Sequence, residues 1–205
     1  MIPALVLAAG KSTRMGRAKA LLPLGAGETF LSRIVATFHN AGVDDVVVIV
    51  GHEAAAIRAA FDAGRARARF VVNAGYESGQ LSSLVAGLRI VDRPGVAAAL
   101  VTLVDTPLVS AATVRAVIDR YRLTRAPIVR PVRGGEHGHP VLIDRALFGA
   151  LFGAQDAALG AKPIIRAHAS AAGDVAVVDE GAFTDVDTPA EYEAVLRRLR
   201  TASDH

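Results

Sequence analysis

The chain has 205 residues, 52% hydrophobic and 5% aromatic, with no tryptophan and no cysteine. That fits one globular domain over 1–205 with an aliphatic core, and excludes disulfides, thiolate metal sites and cysteine nucleophiles. The net charge of +3 forms no basic stripe interleaved with aromatics, and no apolar stretch reaches a membrane helix's roughly 20 residues. With no signal-peptide pattern either, a cytoplasmic protein is expected, with neither nucleic acid nor membrane as partner.

An apolar run over 2–8 predicts a buried first strand. The turn Ala9-Gly10-Lys11-Ser12-Thr13-Arg14-Met15-Gly16-Arg17-Ala18-Lys19 follows, with two glycines, two hydroxyls, four cations and no acid. Glycines let backbone N–H groups approach an anion, and the cations can neutralise phosphate. Alone, the turn could equally be a solvated surface loop. It is neither a Walker A loop nor a dinucleotide fingerprint, which needs a third close glycine.

Helical periodicity then runs from Thr29 to Ala41, with Gly42 placed as a C-terminal cap. Val46–Val50 reads as a central parallel strand, Glu53–Asp62 as a helix, and Phe70–Val72 as a strand. Arg65, Arg67 and Arg69 alternate before that strand and mark a solvated face. Helix Gln80–Val91, strand Ala98–Val104, helix Ala111–Arg122 and strand Pro127–Arg130 continue the alternation. The rhythm then changes. Pro140–Ile143 suits an antiparallel hairpin, Asp144–Phe152 and Pro163–Ala171 short helices, Val175–Val178 a strand, and Pro189–Arg200 a last helix. The run 154–161 is the least patterned, and mobility is expected there. The whole predicts an α/β fold: a mainly parallel sheet covered on both faces, with a small antiparallel part in the C-terminal third.

Ligands of such sheets bind beyond the carboxyl ends of the strands. The first loop, the 73–80 loop and Asp105 should therefore converge. Asp105 reads either as a turn or capping residue or as a magnesium ligand, and Asp187 either as the last helix's N-cap or as a second carboxylate. Asp185 and Asp187 share one face of an extended segment. Arg14 and Lys19, with Lys11 in support, suit phosphate contacts. His137-Gly138-His139 is too sparse for zinc.

Leu7-Ala8-Ala9-Gly10-Lys11-Ser12-Thr13-Arg14-Met15-Gly16, with Lys19 and Leu21-Leu22, resembles the nucleotidyltransferase signature L-A-A-G-x-S-x-R-M-G-x-x-K-x-L-L. The likeness continues through Gly79-Gln80-Leu81-Ser82-Ser83-Leu84, Val104-Asp105-Thr106-Pro107, Gly138-His139-Pro140-Val141-Leu142 and Asp185-Val186-Asp187-Thr188-Pro189 with Tyr192. This ordered set resembles the molybdenum cofactor cytidylyltransferase branch of the MobA-like NTP transferases. The resemblance implies a Rossmann-like, GT-A type three-layer domain. It implies that Leu7, Ala8, Ala9, Gly10, Lys11, Ser12, Arg14, Lys19, Asn73, Gly79, Gln80, Ser82 and Ser83 hold the nucleotide. Catalysis would rest on Arg14, Lys19 and Asp105, Mg2+ on Asp105 and Asp187, and the acceptor on His139 and Pro140. The implied reaction joins CTP to molybdopterin cofactor and releases pyrophosphate, with transient contact to a molybdoenzyme or its chaperone. Thr106 departs from the Asp-Gln-Pro of many relatives. Guanylyl transfer, a sugar-1-phosphate or other phosphorylated acceptor, and a non-catalytic cofactor-binding role therefore stay open.

Overall fold

β1 (Ala4–Ala8) and β4 (Val46–Val50) are buried at every residue, as aliphatic strands covered on both faces must be. They pair in parallel, Ala4 against Val46 through Ala8 against Val50. β6 (Ala98–Leu103) pairs in parallel with the other edge of β1, and β5 (Arg69–Val72) with β4. The structure, a computed structural model, describes residues 1–62, 64, 67–154 and 159–203.

The C-terminal third supplies the reversal. β9 (Val141–Asp144) runs antiparallel to both β6 and β7 (Ile128–Arg133). β8 (Glu136–His137) folds back on β7, and β10 (Asp174–Ala176) returns parallel to it. The strand order is β10-β7-β9-β6-β1-β4-β5. The expected α/β sheet, mainly parallel with a small antiparallel part, is the one this chain adopts.

Alternation along the strands divides the core in two. Ala4, Val6 and Ala8 face one cluster, with α1 (Phe30–Asn40), α2 (Ala54–Asp62), α4 (Ala111–Thr124) and α7 (Pro189–Ser203). Leu5 and Leu7 face the other, with α3 (Gln80–Val91) and α5 (Phe148–Phe152). Ile164 and Ile165 of α6 (Lys162–His168) pack against that second cluster. The result is three layers.

Helix ends follow their local chemistry. Thr29 caps α1: its hydroxyl accepts from the Ser32 amide, and the Ser32 hydroxyl accepts from the Thr29 amide. Gly42 then takes φ 85°. Ser110 caps α4 through the Thr113 amide.

The boundaries differ from expectation where backbone chemistry intervenes. β1 starts at Ala4, because Pro3 has no N–H for the ladder. The hairpin of β2 (Pro23–Gly25) and β3 (Glu28–Thr29) is an addition, made by positive φ at Gly25, Ala26 and Gly27. β7 continues through Pro131, which sits beyond the last β7–β9 pair, Val129 with Leu142. α4 extends to Thr124, and β10 is Asp174–Ala176, leaving Val178 exposed. Residues 144–152 divide into a 3₁₀ turn, Arg145–Leu147, and α5. α6 stops at His168, short of the expected end. Arg69 opens β5 on its exposed side and pairs with Asp45. Arg65, and residues 155–158 of the expected mobile run, lie outside the described residues.

Two glycines fasten the C-terminal segment to the sheet edge. A Cβ on Gly138 would stand 2.2 Å from the Ala182 carbonyl oxygen, and one on Gly181 2.0 Å from that of Leu108. Backbone cannot yield as a flexible side chain can. Gly181→Ala is expected to cost about 2–4 kcal/mol. Gly149→Ala in α5, where a Cβ meets nothing within 4 Å, should be neutral or mildly stabilising. Urea unfolding of both variants measures the difference, and equal midpoints would contradict the close packing at Gly181.

Candidate active site

Parallel strands place their following loops at one edge. The loop after β1 turns there through left-handed Ser12 and Gly16, φ 50° and 68°. The Ser12 hydroxyl accepts from the Lys19 amide at 3.2 Å, drawing the end of the loop back to its start. Nothing lies within 4 Å of a Cβ placed on Gly10, so the space beside that backbone is open. A cleft of about 360 Å³ lies against this loop, Gly79 and Gln80 at the start of α3, and the end of β6.

The acidic side of the cleft is assembled from distant sequence. The Val186 amide donates to the Asp105 carbonyl at 2.8 Å, and Val186 is fully buried. This bond sets the 185–187 segment against the end of β6. Lys19, its side chain 10% exposed, then spans the two carboxylates. Its Nζ donates to Asp105 Oδ2 at 3.1 Å and to Asp187 Oδ1 at 2.5 Å. Arg14 takes the other Asp187 oxygen at 2.9 Å. The Lys19 hydrogen bond, with Arg14 nearby, holds the Asp187 carboxyl below the usual range, against some burial. Burial and the Asp105 charge push Asp185 upward.

Neither aspartate is a helix cap. Thr188 caps α7: its hydroxyl accepts from the Glu191 amide, while the Glu191 carboxylate accepts from the Asp187 and Thr188 amides. Ser110 caps α4. Asp105 Oδ1 is buried and has no hydrogen-bond partner. A bare buried carboxylate oxygen is costly, and a hard cation is the partner that suits it. Among the described residues no three His, Cys, Asp or Glu side chains gather closely enough to hold a metal by themselves. The protein thus offers a carboxylate pair, which fits an ion completed by phosphate and water.

The expected site residues separate into those that line the cleft and those that support it. Leu7, Ala9, Gly10, Ser12, Arg14, Lys19, Gly79, Gln80, Ser83, Asp105 and Asp187 line it. Ala8 faces the opposite core, as strand alternation requires. Lys11 points to Glu77 at 2.6 Å, tying the two loops together outside the cleft. This exposed pair raises the Lys11 pKa and lowers that of Glu77. Asn73 lies beside the cleft and is not one of its walls. Its amide donates to the Ser82 and Ser83 hydroxyls, and its carbonyl accepts from the Gly75 amide. Ser82 is engaged by Asn73 and by the Gly79 carbonyl, so it too is a support. Tyr76 and Thr13 line the cleft without having been singled out. Tyr76 stood inside the expected loop, where an aromatic among small residues was the available signal.

Antiparallel β9 brings the residues before Val141 to the same edge, because Val101 faces Val141. The His139 amide donates to Ala182 at 2.8 Å. Burial depresses the His139 pKa, opposed by Asp185 and Asp105. His137, by contrast, sits on β8 beside Asp174, so the two histidines serve different surroundings. Neither His139 nor Pro140 lines the main cleft.

A glycine-bearing cationic loop facing an acidic pair across the carboxyl edge of an α/β sheet defines a protein of nucleotide-phosphate chemistry. The MobA-like NTP transferase domain model matches residues 4–172. The chain is 32% identical over 207 residues to nicotine blue oxidoreductase of Paenarthrobacter nicotinovorans, covering 95% of this chain and 96% of that one. It superposes on the crystal structure of Rv0371c from Mycobacterium tuberculosis H37Rv with TM-score 0.79 and 30% identity, over 96% and 97% of the two chains. A manganese complex of Rv0371C matches with TM-score 0.71 and 28% identity, over 96% and 98%. The chain belongs to the MobA-like NTP transferase family and is a nucleotidyltransferase.

The depressed His139 pKa has a consequence for stability. The folded protein keeps this imidazole neutral at a pH where an unfolded histidine, at about 6.5, takes up a proton. The unfolded state then binds more protons, so this contribution is full above that pH and is lost as pH falls. His139→Gln should flatten the decline in urea midpoint between about pH 7.5 and about pH 5. Parallel declines in the two proteins would contradict a buried neutral imidazole.

Proposed function

We propose that the protein transfers a nucleotidyl group from an NTP, CTP first among them, to the phosphate of an acceptor, molybdopterin cofactor first among those. An acceptor phosphate oxygen attacks the α-phosphorus, the bond to the bridging oxygen of the β-phosphate breaks, and pyrophosphate leaves. The acceptor phosphate is already largely dianionic at neutral pH, its second pKa being about 6, so no strong base is required. The carrying observation is Lys19 spanning Asp105 and Asp187 beside the open Gly10 loop.

Divalent metal, magnesium in this reading, would be held by Asp105 and Asp187 and would neutralise phosphate charge when bound. The unpartnered Asp105 oxygen and the manganese complex of the M. tuberculosis relative support that assignment. Arg14 and Lys19 are already in the cleft and move their charge from carboxylate to phosphate when a triphosphate enters. Gly10 leaves room for close backbone approach, while Gln80 and Ser83 offer polar groups to the base. Ser82 and Asn73 keep that second loop in shape. Catalysis is alignment and charge neutralisation.

Asp105→Asn should retain nucleotide binding and lower kcat by about 100-fold or more; unchanged transfer would refute the metal assignment. Lys19→Met should lose phosphate neutralisation and lower kcat/KM by about 100-fold or more. Pyrophosphate release is measured with Mg2+ and each of CTP, GTP, UTP and ATP, with and without molybdenum cofactor. Release with CTP only when cofactor is present supports the reading. Release with GTP keeps the mechanism and changes the base. Silence with all four, in folded protein given intact cofactor, points first to another phosphorylated acceptor and then to a non-catalytic binding role.

A further inference from the structure

A cavity of about 340 Å³ lies at the edge of the sheet opposite the main cleft. Its walls include Pro3, Asp45 and Ala97, the residues that lead directly into β1, β4 and β6. Strands of five or six residues therefore separate it from the main cleft by roughly 17–20 Å. The end of α4 supplies another side, through Ile118, Tyr121, Arg122 and Arg125. Its size falls within the range of small-molecule sites.

Aliphatic side chains form its depth and charged ones its mouth. Val43 and Ile118 are buried, whereas Asp44, Arg122 and Arg125 are exposed. The charges are unequally matched. Asp45 is held by Arg69 and Arg93, and Arg122 meets Asp119 at 3.2 Å. Among the described residues Arg125 is in no ion pair, and its guanidinium lies 5.3 Å from the centre of the Tyr121 ring. The Tyr121 hydroxyl, 2.7 Å from the Asp144 carboxylate and 3.0 Å from the Ala97 carbonyl, fixes that ring in place. The backbone of Arg125 is a second anomaly. It ends α4 at φ 54° and ψ 25°, with its amide donating to the Tyr121 carbonyl at 2.8 Å. Glycine is the usual residue in this left-handed position, because a side chain there adds strain. A cation is favourable near a helix C-terminus, but Arg122 meets that need within the helix and without strain. A strained arginine whose charge borders a cavity and meets no carboxylate points to an anion.

We propose that this cavity is a second small-molecule site, for an organic monoanion: a carboxylate held at the mouth by Arg125 with Arg122 beside it, and an apolar body against Val43 and Ile118. The planar fork of a guanidinium matches a carboxylate in geometry as well as charge. Asp44 stands at the same mouth and repels a dianion about twice as strongly as a monoanion, so a phosphate monoester is disfavoured. A polyhydroxylated ligand is disfavoured too, because its hydroxyls would meet aliphatic walls with nothing to bond. The site stands apart from the nucleotide reading above and does not depend on it.

The test is a methyl-resolved NMR titration of the intact protein with benzoate, benzyl alcohol and phenyl phosphate. Benzoate is expected to shift the Val43 and Ile118 methyls, while the Leu103 methyls report binding in the main cleft separately. Benzyl alcohol, similar in shape and uncharged, should bind about tenfold more weakly, the factor of one charge-assisted hydrogen bond. Phenyl phosphate should also bind more weakly than benzoate. Arg125→Gly keeps the left-handed backbone without its strain, so the fold should be retained while benzoate affinity falls about tenfold. Silence of the Val43 and Ile118 methyls to benzoate makes the space a surface dent and overturns the proposal. Equal affinity for benzoate and benzyl alcohol, or an unchanged benzoate response in folded Arg125→Gly, removes the arginine from it with the same result. Shifts confined to Leu103 give benzoate to the main cleft, and tighter binding of phenyl phosphate makes the site one for phosphate; either overturns the assignment.

Discussion

One ammonium group bridging two carboxylates organises this site. Asp105 and Asp187 are 82 residues apart in sequence, and like charges brought together at a sheet edge repel. The half-enclosed position makes that repulsion larger than in water. Lys19 offsets it while contributing little exposed charge of its own, and Arg14 adds a second contact from the surface. The first loop must therefore fold back far enough to deliver Lys19. The left-handed turns at Ser12 and Gly16 and the Ser12–Lys19 hydrogen bond accomplish that. Under the proposed function the same cations would meet a triphosphate, so ligand entry would exchange partners for them instead of creating new buried charge. On that reading, a cation on the carboxylates and phosphate on Lys19 would favour one another reciprocally.

Much of this was legible in the residues. β-branched and aliphatic runs marked β1, β4 and β6, because strands covered on both faces leave little room for polar side chains. The change of rhythm after residue 130 marked the antiparallel part. The signature loop marked Gly10, Arg14 and Lys19, and the ends of strands marked Asp105. Other features depended on contacts that no local pattern encodes. The partners of Lys19 are set by the Val186–Asp105 backbone bond. Asn73 looked like a wall residue because it lies at a strand end, yet its amide is engaged by two serines. Asp187 resembled a cap until Thr188 and Glu191 took that role. The β2–β3 hairpin escaped because Ala26, a residue that rarely adopts positive φ, completes its turn.

Reversal of a single strand explains how a smaller cavity beside the cleft is built. A parallel β9 would have carried the residues preceding it to the far edge of the sheet. Running antiparallel to β6, it brings His139 to the edge that already holds Asp105. The close backbone contacts at Gly138 and Gly181 then lock this region to the 180–183 turn and to Leu108. The main cleft and the region beyond β6 thus draw on opposite strand directions yet share walls.

The anchoring of α7 has a consequence for the first loop. Asp187 lies just before the Thr188 cap of that helix, and Tyr192 within it donates to the Pro23 carbonyl at 2.6 Å and packs edge-on against Phe30. Arg17 of the first loop lies over the Tyr192 ring. The first loop and the last helix described are therefore bolted together by one aromatic side chain. A substitution at Tyr192, outside the cleft, would loosen the loop that delivers Lys19 to its carboxylates, so the reach of that ammonium depends on packing behind the site as much as on the residues in it.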